Sequence, residues 1–160
     1  FQLSRYWRFV VDCPDARNIV LCENLNFLKT PRIARDNHIE LWYVGGNNIS
    51  NIDYIPDHKL TLPLYYSCDW DYDGLKIYER LQDRFARKSK SITLLYPSPI
   101  LRKSVDSPEH NSRWKHDQPF SGLIRSAYSQ EAISLIQDLI AQDEWVEEET
   151  CELIEMVKLT

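Results

Sequence analysis

Glycine is scarce in this chain, with only Gly45, Gly46, Gly74 and Gly122 among 160 residues. None of them builds a phosphate-cradling loop, and no Ser/His/Asp order is evident. The four cysteines, Cys13, Cys22, Cys68 and Cys151, lack Cys-x-x-Cys spacing and mostly sit among apolar residues. That excludes an obvious zinc site or disulfide framework and favours reduced core thiols. No apolar run approaches the roughly 18 residues of a membrane span, and no signal peptide stands at the start, so the cytoplasm is the expected compartment. Low-complexity tracts and internal repeats are also missing. What is present is ordinary globular composition, 43% hydrophobic and 27% charged, in a length that suits one domain with a real core. The chain opens at Phe1 rather than methionine, which leads us to expect a piece of a longer protein with upstream modules.

Charge is unevenly spread. Residues 131–160 hold nine acids against Lys158, a balance of −8, so with a net charge of −5 residues 1–130 carry +3. Basic residues gather at Arg80, Arg84, Arg87, Lys88 and Lys90, and again at Arg102, Lys103, Arg113 and Lys115. Such clusters can follow a phosphate backbone, although the first lies along a helix and reads equally as a solvated face. An acidic total argues against strong autonomous DNA binding, so affinity for DNA would lean on local patches, a metal or further modules.

Strand-like and helical runs alternate. Strands are expected at 18–22, 40–44, 64–68 and 91–96, the second stopped by Gly45-Gly46 and the last by Pro97 and Pro99. Helical stretches are expected at 25–36 with an interruption at Pro31, at 48–54, and through Leu75, Ile77, Tyr78, Leu81 and Phe85. A polar loop runs to about Gly122, and two amphipathic helices, 130–142 and 144–159, close the chain. This alternation predicts an α/β fold with a roughly four-stranded, mostly parallel sheet, helices on both faces and two C-terminal helices. The domain plan is a lead-in over 1–16, a catalytic core over 17–125 and a helical pair over 126–160. Trp42, Tyr43, Tyr65, Tyr66 and Trp70 belong in such a core rather than on a surface that stacks single strands.

The most informative segment is 62–74, where an apolar run ends in Asp69, Asp71 and Asp73 and then Gly74. Alternate residues of an extended chain point to one side, so these acids can converge on one hard cation, and glycine frees the following turn. Asp73 is a further ligand or, preferably, the cap of the helix beginning near Gly74. In parallel sheets functional groups collect at the carboxyl ends of the strands. Glu23 ends the first strand, Gly45-Gly46 the second, and Asp69 and Asp71 the third, so Glu23 faces the aspartates if strands one and three are neighbours. His110, His116 and Asp117 lie in a loop without ligand spacing and are not expected to form a metal cluster.

These residues carry a resemblance. Glu23 after a strand, Gly45-Gly46 after the next, and Asp69-x-Asp71-x-x-Gly74 after the third resemble the Toprim domain of topoisomerases, primases and related nucleases, over about residues 17–96. The flanking features are most similar to the C-terminal domain of the Wadjet defence nuclease subunit JetD, within the topoisomerase VI A subunit–Spo11 branch. Cys22-Glu23-Asn24-Leu25-Asn26-Phe27-Leu28 resembles the Glu-Asn and phenylalanine stretch of JetD-like proteins, and Glu147-Glu148-Glu149 echoes their Glu-Gln-Glu motif, with Glu148 departing from glutamine. The winged-helix-like module that bears the cleaving tyrosine elsewhere in the branch has no counterpart in this chain, so strand passage is not assigned.

The resemblance implies a Toprim-like fold and a metal-dependent endodeoxyribonuclease that hydrolyses phosphodiester bonds. It assigns Asp69 and Asp71 to Mg²⁺ (or Mn²⁺), and Glu23 to metal binding or general acid/base work. Glu147 and Glu149 are candidates for a second metal, and Lys76, Arg113 and Lys115 for holding DNA. DNA, an N-terminal DNA-binding module and the subunits of an anti-plasmid or anti-phage defence complex are the implied partners, with no membrane. Two other readings stand beside it: a haloacid-dehalogenase-like phosphoryl-transfer enzyme with Asp69 as nucleophile and Asp71 as acid, and a non-catalytic Toprim scaffold. The first would leave Glu23 idle, and the second would retain clustered charges that a silent site has no need to keep.

Overall fold

The computed structural model describes residues 9–160, so the first half of the expected lead-in lies outside the described residues. At its centre is β2 (Asn18–Cys22), whose residues 19–22 are fully buried. A strand covered on both faces reads as continuous apolar sequence, as Ile19-Val20-Leu21-Cys22 does. It pairs in parallel with β3 (Ile39–Tyr43) on one side and with β4 (Leu64–Ser67) on the other. β5 (Thr93–Leu94) extends the sheet in parallel beyond β4.

Sequence patterning foresaw these four parallel strands. A fifth, β1 (Val10–Val11), pairs antiparallel with β3, giving the order β1-β3-β2-β4-β5. It comes from the segment assigned to the lead-in, where two residues are too few to leave a periodic signal. The expected strand at 91–96 shrinks to β5, although Leu95 still donates its N–H to the Tyr66 carbonyl at 2.9 Å.

The expected helix over 25–36 is divided. A 3₁₀ turn at Phe27–Lys29 precedes α1 (Pro31–Asp36), because Pro31 lacks an N–H and suits the first position of a new helix. Two further 3₁₀ segments, Gly46–Tyr54 and Asp57–Thr61, lead to β4. After β4, α2 (Tyr72–Ala86) buries Leu75, Ile77, Tyr78, Leu81 and Phe85 along one stripe. All four cysteines are free and buried.

Beneath β3 lies a charge that patterning did not reveal. Glu40 is fully buried and accepts from Lys59 Nζ at 2.7 Å, Trp42 Nε1 at 2.8 Å and the Cys13 N–H at 3.1 Å. A buried carboxylate persists only with such a set of donors.

The C-terminal helical pair is corrected. α3 (Gln130–Gln142) is capped by Ser129, whose hydroxyl accepts from the Ala132 N–H at 3.2 Å. It stops at Asp143, which takes the left-handed conformation with φ 56°. The chain then forms β7 (Glu144–Val146), a 3₁₀ turn at Glu148–Thr150 and the short α4 (Leu153–Leu159) in place of one helix over 144–159. Trp145 and Val146 favour a strand once a partner exists. That partner is β6 (Arg102–Ser104), inside the stretch expected to be loop.

Candidate active site

Because β2 and β4 are neighbours with Cys22 opposite Ser67, the residues that follow them leave the same edge of the sheet. The Glu23 N–H continues the ladder to the Ser67 carbonyl at 2.9 Å, and Glu23 Oε1 accepts the Asp69 N–H at 2.8 Å. Beyond β3, Gly45 passes so near that a Cβ there would overlap the Glu23 carbonyl oxygen. Asp71 is the N-cap of α2, its Oδ1 accepting from the Gly74 N–H at 2.8 Å.

Gly74 does more than relax a turn. A Cβ at this position would overlap the Asp69 carbonyl oxygen and stand 2.8 Å from Glu23 Oε1 and 3.1 Å from Asp71 Oδ1. The bare backbone therefore lets the helix start close against all three acids. Asp73, expected as the cap, is instead exposed in the first turn of α2, with its N–H on Ser112 Oγ at 3.0 Å. The cap falls to Asp71 because capping requires extended backbone, which Asp71 has at φ −136° and ψ 178°.

The strand β7 and the turn after it supply a fourth carboxylate. Trp70 and Val146 exchange backbone bonds at 2.8 and 3.3 Å, which docks β7 beside the aspartates. The Glu148 N–H then reaches Asp69 Oδ1 at 2.8 Å, joined there by Asn24 Nδ2 at 3.2 Å. Glu148 itself is 1% exposed, and its Oε1 accepts the Asn24 N–H at 3.0 Å. Its Oε2 is sealed from water with no hydrogen-bond partner among the described residues. Of the Glu147-Glu148-Glu149 run it is thus the middle residue, the departure from glutamine, that enters the site. Glu149 is exposed, and Glu147 pairs with Lys103 at 2.5 Å.

A histidine from the polar loop completes the group. The His110 ring stacks on Trp145 with centroids 3.7 Å apart, which brings Nε2 to 3.4 Å from Asp71 Oδ2. His116 goes elsewhere, to Asp143 at 2.8 Å. Burial, followed by the nearby Arg113 charge, holds the His110 pKa below its ordinary value.

Four carboxyl groups packed this closely cannot all ionise at their usual pH. Burial pushes Asp71 up to about 8, with the Asp69 charge adding to it. Burial likewise pushes Glu148 up to about 8, and Asp69 again contributes. Glu23 and Asp69 are both raised, first by burial; the charges of Asp69 and then Asp71 add to the effect on Glu23. A divalent cation would reverse this logic by favouring the ionised forms. The clustered carboxylate oxygens, among them Glu148 Oε2 sealed from water, fit such an ion. As they stand among the described residues, no three His, Cys, Asp or Glu side chains form a ready-made metal cage.

The residues expected to hold DNA are dispersed. Lys76 pairs with the buried Glu79 at 3.0 Å. The Arg113 guanidinium is turned onto the His110 and Ser112 carbonyls. Lys115 lies 5.0 Å over the ring of Tyr72, the residue after Asp71, and so flanks the site with its charge exposed. In the other basic cluster Arg84 and Lys88 both pair with Asp53, and Arg87 with Asp83, as on a solvated face. Sequence reasoning gives Glu148, Asn24 and His110 no site role: His110 is set aside for want of ligand spacing, and the motif echo at 147–149 points to the flanking glutamates rather than to Glu148. No family model, curated protein or solved structure matches this chain.

Proposed function

We propose that this chain is a Toprim-like, metal-dependent DNA nuclease domain in which Glu23, Asp69 and Asp71 form the hydrolytic site. The observation that carries the reading is the meeting of these acids at the ends of two adjacent parallel strands, closed by the 2.8 Å bond from the Asp69 N–H to Glu23. Carboxylates that depress one another's ionisation gain most from Mg²⁺ or Mn²⁺. When bound, such an ion neutralises charge on the non-bridging phosphate oxygens and lowers the pKa of bound water.

The remaining work falls to the chain. Asp69 and Asp71 provide the oxygen donors, with Asp69 held in place by the Glu148 N–H and Asn24, and Asp71 by the Gly74 N–H. Glu23, pushed up to about 10 by burial and then by the Asp69 and Asp71 charges, holds its proton at neutral pH and is suited to give it to the leaving oxygen. Lys115 at the rim offers a cation to a phosphate. Asp73, Glu147 and Glu149 have no part in this reading. A place in a Wadjet-like defence complex acting on foreign DNA extends the same proposal and rests on the resemblance.

The test is supercoiled plasmid incubated with the chain in Mg²⁺, Mn²⁺ or EDTA, beside the double variant Glu23→Ala, Asp71→Ala. Nicking that needs the metal and disappears in the variant supports the proposal. Absence of both cutting and calorimetric Mn²⁺ binding refutes it.

A further inference from the structure

We infer that His110 is a nitrogen ligand of this carboxylate site, making it a site for a first-row transition ion rather than an all-oxygen magnesium site. The inference rests on the metal-site reading above and goes beyond it by naming the ligand and the ion class. Its ground is geometric. The His110 side chain is 10% exposed, and Nε2 is sealed from water without a hydrogen-bond partner among the described residues. Its one facing neighbour is Asp71 Oδ2, 3.4 Å away and outside a hydrogen bond, so nitrogen and oxygen stand where a shared partner could bind both.

The ring is held from several directions. It lies flat on Trp145, 13° from parallel, while the residue's backbone N–H donates to the Ser107 carbonyl at 3.1 Å and its backbone carbonyl accepts from Arg113. Trp145 belongs to β7, the strand that also leads into Glu148, so one strand both supports the imidazole and delivers the buried carboxylate. Across the gap, Asp71 Oδ1 is committed to the helix cap, which leaves Oδ2 as the oxygen facing Nε2 at 3.4 Å. Two adjacent ligands that each bind an ion at about 2.1 Å stand roughly 3.0–3.5 Å apart, the range of octahedral to tetrahedral angles. The separation thus matches two ligands of one cation. Hard magnesium prefers oxygen and water, whereas an imidazole shifts preference toward the transition ions.

Mn²⁺ is the probe, because its electron spin reports ligated nitrogen directly. Pulsed EPR of Mn²⁺ bound to the chain should show nitrogen modulation from an imidazole. His110→Phe keeps a flat ring on Trp145 while removing the nitrogen. It should abolish the modulation and weaken Mn²⁺ by about tenfold or more, with Mg²⁺ affinity changing far less. His110→Gln, with a smaller side chain, should behave the same way. Bound Mn²⁺ without nitrogen modulation, or modulation that survives in both variants, overturns the assignment and leaves the carboxylate metal site standing. No Mn²⁺ binding by the unsubstituted chain overturns both.

Discussion

Glu148→Gln should stabilise the metal-free protein increasingly as pH rises from about 5 to about 8. Glu148 is 1% exposed, and its pKa rises from 4.5 to about 8 on folding, chiefly through burial. Below the unfolded value both states hold the proton and nothing is lost. Between the two values the folded protein keeps a proton that the unfolded chain has released, so stability falls by about 1.4 kcal/mol per pH unit. Above the folded value both states are ionised and the loss is complete. Glutamine carries no such penalty, and its amide oxygen can still accept the Asn24 N–H that Glu148 Oε1 accepts at 3.0 Å. From about pH 5 to about pH 8 the gap between variant and parent should widen by about 3 kcal/mol, or roughly 6–12 °C in Tm for a chain of this size. Thermal unfolding in EDTA at the two pH values measures it. A constant gap, or a variant that becomes relatively less stable as pH rises, refutes the reasoning. Saturating Mn²⁺ should remove most of the parent's loss over this pH range, since an ion that binds only the folded state also favours the ionised acids.

Gly74→Ala should disable the site by crowding, because its Cβ would overlap the Asp69 carbonyl and stand 2.8 Å from Glu23 Oε1. We expect a stability loss of about 1–3 kcal/mol by denaturant unfolding together with loss of Mn²⁺ binding, and unchanged binding would refute it. Lys59→Met strands Glu40 as a buried, underpaired carboxylate and should cost about 3–5 kcal/mol, with much of it recovered by adding Glu40→Gln; a loss below about 1 kcal/mol would contradict the burial of this pair. Lys103→Ala, by contrast, breaks an ion pair whose lysine is 47% exposed, and should change stability by less than about 1 kcal/mol. Lys115→Glu should weaken DNA binding and flatten its salt dependence by about one phosphate contact without unfolding the protein, as fluorescence anisotropy across a salt series would measure.

Continuous apolar runs and their punctuation determined much of this protein. Ile19-Val20-Leu21-Cys22 and the run ending at Ser67 have to be strands covered on both faces, and the helical spacing of Leu75, Leu81 and Phe85 has to pack against them. Parallel strands with acids at their carboxyl ends followed directly, and with them Glu23, Asp69 and Asp71. These are local regularities, written in the order of the residues themselves.

Tertiary structure decided everything that depended on a partner distant in sequence. Residues 144–159 carry a pattern that a helix could use, yet the left-handed turn at Asp143 and the pairing of β7 with β6 convert the first part into a strand. That single switch lifts Glu148, rather than Glu147 or Glu149, into the carboxylate cluster, 79 residues from the Asp69 it meets. It also brings Trp145 beneath His110, whose loop has no ligand spacing of its own. Glu40 and Lys59 likewise meet only because β3 and the turn before β4 close over them. Local propensity is a difference of tenths of a kcal/mol per residue, whereas ladder pairing and burial of a tryptophan contribute several, so the distant contacts prevail where the two compete.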